Sequence, residues 1–135
     1  MKQTIRSRKR EACEREALRK RVKYFYRRLN RSDWEDCFAL IDPQLTRTGK
    51  VKVDVYSRLM ESFKTAYGSV NPRWTRLSLH LQVAKNQRDS RPFAYVYVIW
   101  QDAAHGYHLF RERWIKENGQ WYTRVVALVP NRSEK

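Results

Sequence analysis

Glu112 is the residue whose surroundings in this sequence best suit acid–base chemistry. It lies in the segment FRERW, where alternation along a strand puts it on the same face as Phe110 and Trp114. A carboxyl group among apolar side chains loses hydration, which raises its pKa and suits it to act as a general base or a neutral hydrogen-bond donor. The competing interpretation is a buried acid paired with an arginine or lysine from a helix. Glu112 is therefore a catalytic candidate without an assigned role.

The other residues that could do chemistry offer less. His108 shares the face of Glu112, but about 13 Å of strand separates the two, so their side chains cannot touch. Tyr24, Tyr26 or Tyr56 would have to complete any site from the helices. The sequence has no glycine-rich phosphate loop, no nucleophile elbow and no cluster with metal-ligand spacing. We accordingly predict no metal and no cofactor.

A predicted β-hairpin positions the candidate acid. Asn118-Gly119 is a preferred two-residue hairpin turn, because both positions need positive φ, and strand-forming residues flank it. This turn sets Trp114 opposite Thr123, which leaves one face mostly apolar and the other aromatic and cationic.

Hydrophobic periodicity predicts three helices followed by four antiparallel strands. An apolar stripe starts at Leu18 in the first helix, and a capping box of Ser32 and Glu35 starts the second. Helices ahead of a strand meander favour an α+β fold in which the helices pack on one face of a curved sheet. The predicted helices are 8–31, 33–41 and 53–67, and the predicted strands are 74–84, 93–102, 107–116 and 120–129.

The order of elements resembles the nuclear transport factor 2-like superfamily, which includes ketosteroid-isomerase-like and SnoaL-like proteins. The local similarities are RSDWEDCFALIDP at residues 31–43 and RERWIKENGQWYTRVV at 111–126, and the resemblance covers about residues 18–129. It implies a strongly bent sheet in a cone-shaped, cystatin-like roll. The superfamily contains isomerases, dehydratases, transport factors and binding modules, so the resemblance implies a fold rather than one function.

We predict from these features a small binding or accessory module that holds a small apolar ligand inside the cone. One alternative is an isomerase- or dehydratase-like enzyme, without metal, that uses Glu112 as base. Such an enzyme needs an open pocket, an unpaired Glu112 and a second polar group nearby. Another alternative is a sequence-independent nucleic-acid-binding protein that acts through its basic first helix. The predicted pocket residues are Trp34, Tyr56, Trp100, Phe110, Glu112 and Trp114.

The opposite face of the sheet predicts contact with a second copy of the chain. Tyrosine interleaved with arginine suits a homodimer interface, and it also suits stacking on nucleic-acid bases. Because like charges would repel across a two-fold axis, we expect these arginines to pair with acids or to stack on the tyrosines. The predicted dimer face consists of Tyr95, Tyr97, Arg111, Arg113, Tyr122 and Arg124.

Charge is concentrated at the start of the chain. The net charge is +15, and residues 1–31 hold 13 lysines and arginines against three glutamates, a net +10. Such a segment either attracts nucleic acid or remains a solvated helix. Because the apolar stripe starts at Leu18, deletion of residues 1–15 should remove any such binding without unfolding the domain. The candidate polyanion-binding residues are Arg8, Lys9, Arg10, Arg15, Arg19 and Lys20.

The composition indicates one domain in a reducing compartment. A chain of 135 residues can bury one core without cross-links, and it has no apolar run of about 18 residues, so we expect no membrane span. No apolar segment follows the basic start, so we expect no secretory signal. The two cysteines, Cys13 and Cys37, lie in helical sequence without metal-ligand spacing, so we expect no disulfide framework. This favours a reducing cytoplasm. The predicted division is a basic helical extension over 1–17, a domain over 18–130 and a tail over 131–135.

Overall fold

Helices lead and strands follow in the computed structural model, which describes residues 5–83 and 88–125. The strands form one antiparallel sheet in the order β1-β2-β3-β4, so the α+β class and the four-stranded sheet are confirmed. The described chain has four helices, two of them long, where three were expected. The elements are α1 (Ile5–Asn30), α2 (Trp34–Phe38), α3 (Pro43–Thr46), α4 (Val53–Tyr67), β1 (Asn71–His80), β2 (Phe93–Gln101), β3 (Tyr107–Glu117) and β4 (Gln120–Thr123).

Helix α1 packs on the sheet through the predicted apolar stripe, and its contact with the sheet begins before the first residue of that stripe. Leu18, Val22 and Leu29 are buried in the core. Glu14, four residues before the stripe, is also buried, and its carboxylate accepts hydrogen bonds from the Lys116 ammonium and the Trp121 indole. Removal of residues 1–15 would therefore leave the Lys116 ammonium without its carboxylate partner. That the domain folds without these residues stays a prediction.

The predicted capping box at the start of the second helix is also wrong. Ser32 has a φ of 59°, and Asp33 takes the N-cap position without a side-chain capping bond. A tertiary contact explains the difference, since the Lys64 ammonium donates to the Ser32 hydroxyl and to the Asn30 carbonyl. The spacing of residues 32–35 could not predict this contact, because Lys64 belongs to another helix.

Helix α2 ends three residues earlier than predicted because the next segment joins the sheet. Ile41 forms a parallel bridge with Thr123, and Asp42 N donates to the Thr123 carbonyl. The short α3 then lies in the predicted loop, where Asp42 caps it by accepting from Gln44 N, with Pro43 in its first turn.

The hairpin and the strand register agree with the sequence. Asn118 and Gly119 have φ values of 51° and 80°, and Trp114 pairs with Thr123. On the other side of β3, Val96 pairs with Glu112. Strand β4 ends at Thr123, although Arg124 N still donates to the Arg113 carbonyl. The part of the predicted strand beyond residue 125 lies outside the described residues.

A cluster of ion pairs around Asp42 connects the ends of neighbouring strands. The Asp42 carboxylate is fully buried and accepts both Arg91 Nη atoms at 2.8 Å and Arg124 Nη1 at 2.5 Å. Arg91 also bonds Asp89 and Glu117. Burial by itself raises the pKa of Asp42, but the hydrogen bonds from Arg91 and Gln44 outweigh it, so the pKa is lowered. The ionised carboxylate is thus the form that the fold stabilises.

Replacing Asp42 with asparagine should lower the free energy of unfolding at pH 7 by about 3 kcal/mol. Asparagine preserves the N-cap but leaves Arg91 and Arg124 without the buried negative charge that both contact. Because the folded-state pKa is lowered, the wild type should lose this contribution as pH falls below 3.8, and the variant should not. Urea unfolding at pH 7 and pH 3 measures both effects. The exposed Asp36→Asn is the matched control, and equal destabilisation by the two substitutions would contradict the prediction.

Candidate functional site

The carboxyl group of Glu112 lies where the middle of β3 faces α1. Its side chain is 1% exposed. Tyr26 Oη on α1 donates to Oε2 at 2.5 Å, and Trp114 Nε1 on the same strand donates to Oε1 at 2.8 Å. Both carboxylate oxygens therefore already have a donor, and Tyr26 is the helix tyrosine that completes the cluster.

Burial controls the protonation of this cluster. Loss of hydration raises the pKa of Glu112 to about 7, against the opposing effect of the hydrogen bonds from Tyr26 and Trp114. Burial and the nearby carboxylate also raise the pKa of Tyr26. Within residues 5–83 and 88–125, Glu112 makes no ion pair, so the lysine or arginine partner suggested by the sequence is wrong. A phenol takes its place, since a hydroxyl loses less hydration energy on burial than a cation does.

The predicted pocket residues are buried in the core. Two of them keep a buried polar atom that has no hydrogen-bond partner within the described residues, namely Tyr56 Oη and Trp100 Nε1. Grooves of about 490 to 660 Å³ on the described part of the surface have walls that include none of the predicted pocket residues. The six side chains, each 9% exposed or less, are Trp34, Tyr56, Trp100, Phe110, Glu112 and Trp114.

A histidine–aspartate pair lies at the end of the inner face, and sequence reasoning missed it. His108 Nε2 is 2.7 Å from Asp102 Oδ2, while Asp102 Oδ1 accepts from the backbone N–H of Ala104 and Gly106. The pair lowers the pKa of Asp102, chiefly through the hydrogen bond with His108. The sequence placed residue 102 at the end of the predicted strand 93–102 and suggested no chemical role for Asp102. An aspartate that begins a short hairpin loop and precedes a glycine is the signal that was available.

The outer face of the sheet contains the expected arginine–aromatic stacking. Arg111 lies 5.0 Å from the centre of the Tyr95 ring, and Arg113 lies 4.7 Å from that of Phe93. Arg124 instead joins Asp42. Arg111 therefore stacks on a tyrosine and Arg124 pairs with an acid as expected, whereas Arg113 lies over Phe93 instead of a tyrosine.

Two further members of the outer face have neighbours that the sequence did not suggest. Tyr97 is covered by Arg76 of β1, and Tyr122 is covered by Arg21 of α1. Ile115, which alternation also places on this face, is fully buried, so the face is not uniformly exposed.

A basic groove of about 660 Å³ lies between α1, α2 and the β3–β4 turn. Lys20, Lys23 and Arg27 line it from successive turns of α1, and all three are exposed. Arg21 also lines it, but its Nε donates to the Trp121 carbonyl at 2.9 Å, and burial lowers its pKa. Asp36 is the acid among the lining residues. We call this site the basic groove.

Only one of the six predicted polyanion-binding residues, Lys20, lines the basic groove. Arg15 is turned toward the sheet, where Nη1 donates to the Leu77 carbonyl and Nη2 contacts Glu11. Sequence reasoning missed Lys23 and Arg27, although their spacing from Lys20 marks one polar helix face. The remaining four, Arg8, Lys9, Arg10 and Arg19, are exposed on α1 outside the groove.

The described part of the chain contains no group of three or more His, Cys, Asp or Glu side chains that could hold a metal ion. Across the same residues, no helix is long and apolar enough to cross a membrane. No family model, curated protein or solved structure matches this chain.

Glu112→Gln should remove a pH dependence of stability. The pKa of Glu112 is about 7 in the folded protein against an ordinary 4.5, so the wild type binds the proton more tightly when folded. Its free energy of unfolding should then fall by about 3 kcal/mol as pH rises from about 4.5 to 7. Glutamine cannot ionise, so the variant should lack this fall. Urea unfolding between about pH 4 and 8 measures it, with Glu35→Gln, at an exposed position, as control. Parallel curves for wild type and Glu112→Gln would refute the assignment.

Proposed function

We propose that this chain binds nucleic acid independently of sequence, through the basic groove. The observation that carries the proposal is the row Lys20, Lys23 and Arg27, exposed along one groove of a chain with a net charge of +15. Clustered cations on one face are the electrostatic footprint of polyanion binding. The lining acid, Asp36, is 3.7 Å from Arg28, so its charge is partly compensated from within the chain.

The aromatic side chains of the basic groove favour binding to the phosphate backbone of a nucleic acid rather than recognition of its bases. Arg28 lies 5.0 Å from the centre of the Tyr24 ring, and Trp121 is buried with its indole N–H on Glu14. Neither ring is free on both faces to stack between bases. Contacts to phosphates fix position without reading sequence, so the groove should accept RNA and DNA of any sequence.

Three phosphate contacts predict a specific salt dependence. Each neutralised phosphate contributes about −0.9 to the slope of log affinity against log salt for duplex DNA and about −0.7 for a single strand, so three give about −2.7 and −2.1. Raising salt from about 0.05 M to 0.2 M should then weaken binding of duplex DNA by about 40-fold and of single-stranded RNA by about 20-fold. Gel-shift titration with mixed-sequence single-stranded RNA and duplex DNA measures this slope. Failure to retain either nucleic acid at about 0.05 M salt would overturn the proposal.

A charge-matched pair of variants separates the groove from net charge alone. The triple variant Lys20→Gln, Lys23→Gln and Arg27→Gln should lose most of the binding and flatten the salt slope. The control removes the same charge from exposed positions around α4. It should retain nearly wild-type binding, and equal loss in both would point to net charge. The control substitutions are Lys50→Gln, Lys52→Gln and Arg58→Gln.

The inner aromatic cluster is the basis of a second candidate function, the binding of a small ligand. The observation in its favour is the pair of unpartnered buried donors, Tyr56 Oη and Trp100 Nε1, which an acceptor on a ligand would satisfy. An isomerase- or dehydratase-like activity has less support, because Glu112 is enclosed and both its oxygens are occupied. A relation to the nuclear transport factor 2-like superfamily, with its cone-shaped sheet, is likewise proposed from the element order.

We also retain the proposals of a cytoplasmic location and of a homodimer. Both cysteines are free, which is the expected state in a reducing compartment. For the dimer, Trp74 and Leu109 are about half exposed and flank Ile99 in one row of the outer face. The stacking of Arg111 on Tyr95 keeps positive charge beside a ring instead of directing it at a second copy.

Leu109→Arg should convert the dimer into a monomer. A second copy would bury the apolar row, and a new cation there would face its own symmetry mate without a partner charge. Light scattering at about 0.15 M salt measures the mass. Leu59→Arg on α4, at a site of equal exposure, is the control and should remain dimeric. A monomeric wild type at micromolar concentration would refute the proposal.

A further inference from the structure

A second groove, of about 490 Å³, lies on the other flank of α1, between this helix and the start of β1. Its apolar wall comes from Val22, Tyr26 and Val70, which belong to the core. Pro72 and Thr75, both partly exposed, extend the wall along β1. We call this site the α1–β1 groove. Its volume is within the range of small-molecule sites, which bury most of their ligand against apolar side chains.

The rim of the α1–β1 groove carries only positive charge. Lys23 and Arg27 form the ridge that it shares with the basic groove, and among the residues that the structure describes no acid lines it. They are exposed and one helical turn apart, so both can reach one anionic group. A groove with an apolar bed and two cations at one edge is complementary to an amphipathic anion.

The wall of the α1–β1 groove is fixed before any ligand arrives. The Asn30 side chain bonds the Val70 backbone in both directions, donating to the carbonyl at 2.7 Å and accepting from the amide at 2.8 Å. The Lys64 ammonium holds the Asn30 carbonyl from the other side. A preformed wall reduces the entropy that a ligand would lose on binding.

We propose that the α1–β1 groove binds a small amphipathic anion, a carboxylate on an aliphatic or aromatic body. The carboxylate lies between Lys23 and Arg27, and the apolar body lies along Val22, Val70 and Pro72. The site differs from the inner cluster around Glu112. It does not depend on nucleic-acid binding, although both sites use Lys23 and Arg27.

Isothermal titration of the full chain with decanoate tests the proposal, with decan-1-ol and decyltrimethylammonium as neutral and cationic analogues. Decanoate should bind at least about tenfold more tightly than either analogue. Amide resonances of Val70, Asn71 and Thr75 should shift on its addition. Arg27→Gln should weaken decanoate by about tenfold and leave decan-1-ol unchanged.

Two further variants distinguish this groove from its neighbours. Thr75→Trp fills the α1–β1 groove and should abolish decanoate binding, whereas Ser78→Trp, on the other face of the same strand, should not. Lys20→Gln touches only the basic groove, so it should weaken nucleic acid and leave decanoate unchanged.

Several outcomes would overturn the proposal. These are no decanoate binding, equal binding of the three amphiphiles, loss of binding in both tryptophan variants, and amide shifts centred on Trp114 instead of on β1. Because Lys20 lines the basic groove and not the α1–β1 groove, the gel shift of Lys20→Gln tests the nucleic-acid proposal even if decanoate does not bind.

Discussion

The packing of α1 along the inner face of the sheet is the constraint on which the rest of this structure depends. Polar contacts along its length hold the helix beside the apolar stripe, among them Glu14 with Lys116 and Trp121, Tyr26 with Glu112, and Asn30 with Val70. From Glu14 to Asn30 these contacts span about 24 Å of helix. Buried hydrogen bonds are directional, so together they determine how α1 is rotated about its axis as well as where it lies.

That rotation decides which charges face solvent. With Val22 and Tyr26 held inward, the residues that directly follow them, Lys23 and Arg27, face outward. They form the ridge between the two grooves. The same packing encloses Glu112 and raises its pKa to about 7. One helix orientation therefore produces both the basic surface and a protonatable core.

The distribution of acids strengthens the positive surface. Several of the 14 acidic residues bind a specific partner on another part of the chain. Asp42 is buried against Arg91 and Arg124, Glu14 holds Lys116, and Asp102 holds His108. Since these acids hold specific partners, they contribute little negative field at the basic groove, which retains Asp36 as its lining acid.

The sequence by itself determined the elements that depend on local chemistry. The positive φ of Asn118 and Gly119, the pairing of Trp114 with Thr123 and the stripe from Leu18 all follow from residue type and spacing. Only the tertiary structure decided which partners meet. The sequence named Tyr26 as one of three tyrosines that could complete a site at Glu112, but it did not choose among them. It did not predict the contact of Lys64 with Ser32 or the bond between His108 and Asp102. The physical reason is that periodicity specifies the face of a side chain, whereas a hydrogen bond depends on ångström-scale distances between elements that are set only when the whole chain packs.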